Sequence, residues 1–466
     1  MDLCLLIIGA GLAKAQSASP SSASECSDVL TPVYPAPSVL PGYRAQLVAD
    51  GLTEPRGILF DSVGHLLVVQ QGVGISNLEL EDNGGTCVNV GRKVDVVTSS
   101  DLNHGLALSA DGMTLYASSA DSVFSWSYDP ERSTVSGSNE TIISSMGQGG
   151  GHVTRTLLMS QKQENTLLVS RGSTSNVDYA AEDLSSGHCQ IRAFQLDNYT
   201  GGAFNFNEDG VRLGWGLRNS VGLAEHPSTG GIYSVENSID EITRNGEDIH
   251  ENEPGEELNF HGILGNTDDA DQGGNYGYPL CFATWDVEDI PDGDELAVGG
   301  QFAIGRPNDT VNDEFCEQER VSPRLTFQAH TAPLDIIFTS DGNQAFVSFH
   351  GSWDRTEPSG YKLSMIPFSD GTPVASQDNT SAPTDVMANV DNSICPGDCF
   401  RPVGLAFDAK GRLFMSSDAT GEIYVIVKDE SSPGTRPEPR PSDAGYRLSY
   451  ETSAFLIAVA AVCLLF

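Results

Sequence analysis

The chain has 466 residues, of which 39% are hydrophobic and 19% charged, so it can bury a large core. Its 25 Lys and Arg residues stand against 64 Asp and Glu residues, giving a net charge of -39 at pH 7. This acidity argues against nucleic acid or an anionic membrane surface as a partner and agrees with solubility outside the cell at acidic pH.

The N-terminus has the features of a secretory signal peptide. An apolar run over residues 3–13 leads into the small-residue motif Ala-Lys-Ala, which predicts a signal peptide over residues 1–15. A Ser/Ala-rich linker follows over residues 16–25, and we expect the folded body to begin near Cys26.

A strand-turn-strand pattern occurs six times along the chain. Its clearest copy, Cys399 to Val427, predicts two strands joined by a Lys410-Gly411 turn and then an outer strand from Gly421. The other copies of the first two strands begin at Gly51, Leu102, Gly151, Leu217 and Thr331. Six such copies predict an all-β fold, a six-bladed β-propeller forming a single domain over residues 26–428.

The repeat also predicts which side chains meet. The copies align on a residue that opens the first strand: Gly57, Gly105, Thr156, Gly222, Asp335 and Gly404. Polar residues lie just upstream of it: Arg56, Asn103, His104, His152, Arg218, Asn219 and Arg401. Because the inner strands of a propeller begin around its central channel, we expect these side chains to converge on one mouth of the channel.

Two histidines stand in this register. His152 follows a run of glycines that brings backbone close to a ligand, and its ordinary pKa near neutrality suits a general base. A hydrogen-bonded structural histidine is the alternative. His104 is the second candidate on the same face.

Three arginines are notable in so acidic a chain. Arg218, Arg355 and Arg401 predict an anionic, planar ligand bound through bidentate contacts to its carboxylates. Ion pairing with nearby acids is the alternative for each of them.

An acidic segment follows the second strand of the copy that begins at Leu217. The oxygens of Asn237, Ser238 and Asp240, together with turn carbonyls, suit Ca²⁺, which takes six to eight oxygen ligands. An ordinary solvated acidic loop is the alternative.

The spacing of the copies is uneven. Blades one to three appear in short succession up to about Asp178, whereas residues 237–323 read as a long irregular insertion rich in acids, Gly and Asn. Cysteine spacing allows three disulfides: Cys26 with Cys87, Cys281 with Cys316, and Cys395 with Cys399. Cys189 is then left over, and the lack of paired CxxC spacing argues against zinc.

The C-terminus predicts a removable lipid-anchor signal. A Pro/Ser-rich linker over residues 429–444 precedes a tail, residues 445–466, whose apolar end is too short to span a membrane, as in a glycolipid (GPI) anchor signal. A short membrane tail left in place is the alternative. Four glycosylation sequons, at Asn139, Asn198, Asn308 and Asn379, agree with secretion to the cell surface.

The ordered set of motifs resembles the pyrroloquinoline quinone (PQQ)-dependent sugar dehydrogenases, the secreted fungal pyranose dehydrogenase type related to soluble glucose and sorbosone dehydrogenases. The matching motifs include LNHGL (102–106), GGGHVTRTL (149–157), LRNSVGLA (217–224), ENSIDEI (236–242), FHGSWDR (349–355) and FRPVGLAFD (400–408). Unlike the bacterial soluble enzymes, the chain has Val221 in place of a glutamine and Gly151 in place of an aspartate, which implies different sugar contacts.

The resemblance implies an enzyme that oxidises the anomeric or aldehyde carbon of a pyranose or keto-aldose by hydride transfer to PQQ, with Ca²⁺ beside the cofactor. It implies that His152 is the base. The residues implied to contact the cofactor are Arg218, Asn219, Arg355 and Arg401, with Asn103 and His104 beside them. The metal ligands are implied to lie among Asn237, Ser238 and Asp240.

Two other functions compete with this one. A calcium-dependent lactonase or esterase on a similar propeller needs a histidine and Ca²⁺ but no set of arginines. A non-catalytic glycan-binding propeller keeps the motifs only as scaffold. The expected partners are a sugar and an external electron acceptor, with a cytochrome or a copper oxygenase as candidates.

Overall fold

The structure, a computed structural model, describes residue 26 and residues 29–147, 150–266 and 271–429. The signal peptide (1–15), the linker that follows it (16–25), the anchor signal (445–466) and nearly all of the linker before it (429–444) lie outside these residues and stay predictions.

Six sheets, antiparallel except for one added parallel strand in each of two sheets, form six blades in chain order, so the predicted six-bladed propeller is confirmed. The strands are given from the channel outwards. Blade 1 contains Pro55–Phe60, Leu66–Gln70, Gly74–Asp82 and Val88–Thr98. Blade 2 contains Leu102–Leu108, Thr114–Ser119, Val123–Asp129, Thr134–Ser144 and the added Phe204–Asn205. Blade 3 contains Leu157–Met159, Thr166–Arg171, Gln190–Gln195, Val211–Trp215 and the added Gly274–Asn275.

The second half of the chain forms the other three blades. Blade 4 contains Ser220–Glu225, Gly231–Glu236, Glu256–Ile263 and Leu325–Phe327. Blade 5 contains Pro333–Phe338, Gln344–Phe349, Lys362–Ser369, Thr384–Ala388 and Ser38–Val39, with Thr372–Pro373 paired to its third strand. Blade 6 contains Pro402–Phe407, Leu413–Ser417, Glu422–Lys428 and Tyr43–Ala49.

Few other elements occur in the described residues. Two short strand pairs are Thr243–Arg244 with Glu247–Asp248, and Cys281–Ala283 with Gln301–Ala303. The short 3₁₀ turns are Tyr179–Glu182, Leu184–Ser186, Leu196–Asn198, Val287–Asp289 and Asn392–Ile394, and the α-helix is Asp313–Glu319. Across the described ranges, no helix has the length and apolar character needed to cross a membrane.

The apolar core is a ring of clusters between neighbouring blades. In the fully buried second strand of blade 1, Leu66 and Val68 pack with residues of blade 6, whereas Leu67 and Val69 pack with residues of blade 2. Side chains alternate across a strand, so a strand covered on both faces must be apolar at every position. This explains the continuous apolar runs in the second strand of each copy.

The chain ends close the propeller. Tyr43–Ala49 pairs antiparallel with Glu422–Lys428 and forms the outer strand of blade 6. The strand predicted from Gly421 is present as Glu422–Lys428, the third strand of the blade, and Tyr43–Ala49 lies outside it. The pairing joins strands that are distant in the sequence, which a local pattern cannot show.

The glycines that aligned the repeat sit where neighbouring inner strands touch. A Cβ on Gly57 would lie 2.4 Å from the backbone oxygen of His104, and one on Gly404 would lie 2.5 Å from that of Arg56. Gly105 has the same relation to the backbone oxygen of Arg155, at 2.1 Å. Inner strands of successive blades approach too closely for a side chain here, so the alignment marks the wall of the channel.

Two predicted boundaries need correction. Blade 3 does not end near Asp178: residues 172–189 form an excursion between its second and third strands, and the blade continues to Trp215. The segment 237–323 is not irregular throughout, because it contains Glu256–Ile263, the third strand of blade 4. Glycines and acids around that strand hid it from the repeat pattern.

The three proposed disulfides are present: Cys26–Cys87, Cys281–Cys316 and Cys395–Cys399. Cys189 is a buried free thiol, as expected. Disulfides form in oxidising compartments, so the bonds agree with an extracellular protein. The third bond lies two residues before Arg401 and fixes the chain where blade 6 begins.

Candidate active site

A pocket lies at the end of the channel where the inner strands begin, with a cavity volume of about 170 Å³. Seven of the ten predicted site residues line it: His152, Arg218, Asn219, Asn237, Ser238, Asp240 and Arg401. They come from three widely separated parts of the sequence. Of the residues predicted to converge on one mouth, His152, Arg218, Asn219 and Arg401 line this pocket, while their chemical roles stay predictions.

His152 lines the pocket and uses one ring nitrogen in a hydrogen bond with Ser173. Its Nδ1 lies 2.7 Å from Ser173 Oγ, and that hydroxyl donates its proton to the Ser175 carbonyl at 2.8 Å. Ser173 can therefore only accept from His152, so Nδ1 carries the proton. Nε2 then keeps a lone pair and has no hydrogen-bond partner among the described residues. This is the tautomer a general base needs.

Burial keeps His152 neutral. Desolvation, helped by the positive charge of Arg218, lowers the pKa of His152 to about 4. The imidazole is therefore unprotonated above pH 5 and able to accept a proton. The backbone amide of His152 also donates to Ser173 O at 3.1 Å, which holds the ring and its orienting serine together.

Gly172 makes room for the histidine. A Cβ at this position would lie 2.8 Å from the His152 Cβ and 2.9 Å from Asn219 Oδ1. Because a side chain here would press on both residues, glycine is needed for blades 3 and 4 to bring them together. Asn219 also donates its backbone N–H to the buried Glu236 carboxylate at 2.5 Å.

Arg218 is surrounded by oxygen acceptors. Its Nη2 donates to Asp240 Oδ2 at 2.7 Å and to Asn176 Oδ1 at 2.8 Å. Its Nη1 donates to the carbonyls of Ser238 and Asn237, the latter at 3.3 Å. The three residues predicted to bind metal thus direct oxygens at a single cation, and in this structure that cation is the guanidinium.

The positive charge of Arg401, unlike that of Arg218, has no carboxylate partner among the described residues. Its donors reach only backbone carbonyls, that of His350 at 3.2 Å and that of Gly351 at 3.4 Å. It stacks near the Tyr361 ring, 5.7 Å from the centroid, and no carboxylate pairs with it in the described part of the chain. An unpaired guanidinium facing a pocket is a ready partner for a ligand carboxylate.

A buried charge network supports the floor beneath Arg401. Asp418 accepts from Arg56 Nη1 at 2.5 Å and bonds His350 Nε2 at 2.8 Å. Although burial opposes it, His350 and Arg56 hold the pKa of Asp418 well below its usual range. The carboxylate therefore stays ionised and neutralises Arg56, which leaves the charge of Arg401 free for the pocket.

Asp240, His330 and Asp354 form a second polar group at the pocket. Their potential ligand atoms lie within 4.8 Å of one another. His330 Nε2 donates to the His250 carbonyl at 2.6 Å, and its Nδ1 lies 3.6 Å from Asp240 Oδ1. Burial opposes a charge on His330, but hydrogen bonding to Asp240, the charge of Glu256 and the His250 carbonyl together raise the pKa of the imidazole.

Buried carboxyls underlie the same loops. Glu256 accepts from the Ser238 amide at 2.7 Å and from the Ala332 amide at 3.0 Å, so it fixes two pocket loops at once. Burial raises its pKa to about 7 and that of Glu236 to about 8. These acids hold the backbone of the site in place.

Three predicted residues lie elsewhere. Asn103 donates to the Val153 carbonyl at 2.9 Å, and His104 is buried with its pKa lowered to about 3 by desolvation; neither lines the pocket. Arg355 bonds the Glu251 carbonyl and, at 3.2 Å, Asn252 Oδ1, so its charge is directed at a neighbouring loop rather than at the pocket. These three residues are not among those that line the pocket, and their contact with a cofactor stays a prediction.

Several pocket residues were not predicted from the sequence, notably His330, His350, Glu256 and Trp353. The search for polar residues just upstream of each first strand, applied to the residues before Pro333, would have found His330. His350 and Asp418 directly follow second strands, which return to the same end of the channel as the first strands begin. That position was an available signal.

A larger cleft, of about 650 Å³, lies at residues 320–324 and 372–377, on the outer side of the propeller. Arg320 and Arg324 line it, but no histidine does. The candidate site is therefore the smaller pocket at the channel.

Fold and pocket together define a propeller that can hold an anionic ligand at its axis beside a histidine base. The sequence profile of the TrAA12-like family matches residues 37–429. The PQQ-dependent sugar dehydrogenase of Hypocrea jecorina (strain QM6a) is 48% identical over 396 residues, which cover 84% of this chain and 90% of that protein. The chain therefore belongs to the TrAA12-like family, and the resemblance seen in the sequence is confirmed.

Other relatives agree. The PQQ-dependent pyranose dehydrogenase of Coprinopsis cinerea is 35% identical over 426 residues, covering 86% of this chain but 56% of that longer protein. A calcium structure of the Trichoderma reesei family AA12 enzyme matches with a TM-score of 0.84 at 49% identity, over 86% of this chain and 99% of that one. The holo form of the Coprinopsis cinerea pyranose dehydrogenase PQQ domain matches with a TM-score of 0.80 at 35% identity, over 86% and 99% of the two chains.

Proposed function

We propose that this protein is a PQQ-dependent sugar dehydrogenase that oxidises the anomeric carbon of a pyranose. The observation that carries the proposal is that His152, whose Nε2 is left unprotonated by the contact of Nδ1 with Ser173, lines the same pocket as Arg218 and Arg401. The names of the relatives, both PQQ-dependent dehydrogenases, support it.

The pocket residues fit a flat, polyanionic quinone. Arg401 offers a guanidinium without a carboxylate partner in the described residues, Arg218 offers one that is paired with Asp240, and Asn219 adds an amide beside them. When bound, PQQ supplies an acceptor for the two electrons of the sugar C1–H bond. The arginines would hold its carboxylates.

His152 has the proton-transfer role. Its Nε2 takes the proton of the anomeric hydroxyl as C1 becomes a carbonyl, giving the lactone. Ser173 holds the ring through Nδ1 during this step, and the Asp240 carboxylate, which favours the charged imidazole, stabilises the imidazolium formed. The low pKa of the free imidazole means that the base is available throughout the neutral range.

Calcium binding is a finer part of the proposal. The carbonyls of Asn237 and Ser238 and the carboxylate of Asp240 already converge on one cation, Arg218, and such hard oxygens suit Ca²⁺. Calcium at these ligands requires Arg218 to release the carbonyls, which would free its guanidinium for the quinone. A calcium structure of a relative supports the proposal.

The alternatives are less well supported. A calcium-dependent lactonase does not need an arginine such as Arg401, whose charge no carboxylate pairs with in the described residues. A scaffold protein does not need a histidine held in the tautomer of a base.

We propose further that the protein is secreted, glycosylated and GPI-anchored, and passes electrons to an external acceptor such as a cytochrome or a copper oxygenase. The sequon residues Asn139, Asn198 and Asn308 are exposed, which supports glycosylation.

Reconstitution tests the function. The full chain, expressed without cofactor, is titrated with PQQ in Ca²⁺ or in EDTA, and reduction of an artificial electron-accepting dye is followed across a panel of pyranoses. We expect saturable, sugar-dependent reduction at about one PQQ per chain, with loss in EDTA. Ester or lactone hydrolysis without PQQ would instead identify the lactonase.

A further inference from the structure

Trp353 stands exposed on the rim of the pocket. It lines the same cavity as His152 and Arg401, yet its side chain is 67% exposed. The other three tryptophans are buried or half-buried. A large indole exposed at the mouth of a polar pocket is a feature of ligand contact rather than of core packing.

The turn that bears Trp353 is held rigidly on its N-terminal side. Gly351 N–H donates to Thr331 O at 3.1 Å, and Ser352 N–H donates to Ser359 O at 2.9 Å. The Tyr361 hydroxyl donates to the Ser352 carbonyl. Gly351 has φ +100°, and a Cβ there would lie 2.3 Å from the Tyr361 ring, so only glycine permits this packing.

The C-terminal side of the turn is held equally well. Asp354 Oδ2 accepts from the Glu241 amide at 2.8 Å, and Arg355 donates to the Glu251 carbonyl. Arg355 is thereby a positioning residue for the turn. Because the backbone is bonded on both sides, the indole projects from a fixed backbone position, and a ligand that covers it orders only the side chain.

We propose that Trp353 is the platform on which the pyranose ring lies, so that C1 is directed towards His152. A pyranose has a face of C–H bonds that packs on an aromatic ring, while its hydroxyls point sideways to the polar groups at Asp240 and His330. This inference rests on the proposed function and names the residue that selects its substrate class.

The selection follows from shape. A cyclic sugar offers a continuous apolar face to the indole, whereas glyceraldehyde, an acyclic aldehyde with the same reacting group, does not. Trp353 therefore favours pyranoses over small aldehydes by binding a part of the substrate that does not react.

Steady-state kinetics of the PQQ-loaded protein tests the platform, with Trp353→Ala, Trp353→Phe and, as control, Met113→Ala. Met113 is also exposed but lies on the hairpin of blade 2, at the far end of an inner strand about 20 Å long. We expect Trp353→Ala to raise KM for a pyranose about tenfold or more, with kcat and the PQQ Kd within about threefold of the parent. Trp353→Phe should keep most of the affinity, and KM for glyceraldehyde should not change.

The platform is refuted if Trp353→Ala leaves the pyranose KM within about twofold, or changes the KM for the dye instead of the sugar. If the parent protein oxidises no sugar, the proposed function fails. Pyranose binding at Trp353 is then tested separately, by fluorescence of the PQQ-free protein. Pyranose should then shield the parent, but not Trp353→Phe, from acrylamide quenching of tryptophan fluorescence. Equal quenching with and without sugar would overturn the platform as well.

Discussion

The serine behind the base offers a sensitive test of the site. Ser173 Oγ is the acceptor that assigns the proton of His152 to Nδ1, and it does so because its own proton goes to the Ser175 carbonyl. Ser173→Ala removes the acceptor without touching the pocket. The tautomer equilibrium of His152 then shifts towards the form with its proton on Nε2. In that form Nε2 cannot accept a proton from a sugar.

The size of the effect follows from one hydrogen bond. A buried neutral hydrogen bond contributes about 0.5 to 1.5 kcal/mol, which corresponds to about a twofold to 13-fold loss of the active tautomer. We expect kcat to fall in this range while PQQ affinity stays unchanged. His152→Ala, which removes the base itself, should lose about 100-fold or more.

The neighbouring serine is a matched control. Ser175→Ala keeps the backbone carbonyl that orders Ser173 and removes only a hydroxyl bonded to Val177 O. The assay is dye reduction at saturating sugar and PQQ, with PQQ binding measured separately. An unchanged kcat in Ser173→Ala, or an equal loss in Ser175→Ala, would refute the tautomer argument.

Two further predictions concern cofactor affinity and stability. Arg401→Ala should weaken PQQ binding by about 1.5 to 3 kcal/mol, through loss of a charged hydrogen bond, whereas Arg355→Ala should not; titration of the apo protein compares the two. Burial raises the pKa of the Glu236 and Glu253 carboxyls to about 8, so they add stability below their unfolded pKa near 4.5 and lose it as pH rises through 8. Thermal unfolding should therefore occur at a lower temperature at pH 8.5 than at pH 6.5, and a rising Tm would contradict the assignment.

The blade register was predictable because it obeys a local steric rule. Inner strands meet so closely that Gly57, Gly105 and Gly404 cannot carry a Cβ, and aligning the copies on this position predicted that His152 and Arg401 lie at one mouth of the channel, where both line the pocket. The fold was predictable for a second local reason. The second strand of each copy is buried on both faces, so it appears in the sequence as an apolar run.

The features that the sequence did not predict are strand pairing between distant segments and the positions of side chains on loops. The outer strand Tyr43–Ala49 reaches blade 6 from the opposite end of the sequence, and no local pattern encodes that pairing. Arg355 was expected at the cofactor from the family resemblance and from the scarcity of arginines in this acidic chain, whereas in the structure it donates to the Glu251 carbonyl. Trp353, in the same motif, occupies the rim instead.

A crystal structure of the protein loaded with PQQ tests the central claim most directly. We predict quinone density in the channel pocket, with its carboxylates on Arg401 and Arg218 and its reactive edge towards His152 Nε2. Quinone bound only in the outer cleft near Arg320, or in the channel but out of reach of His152, would contradict the account.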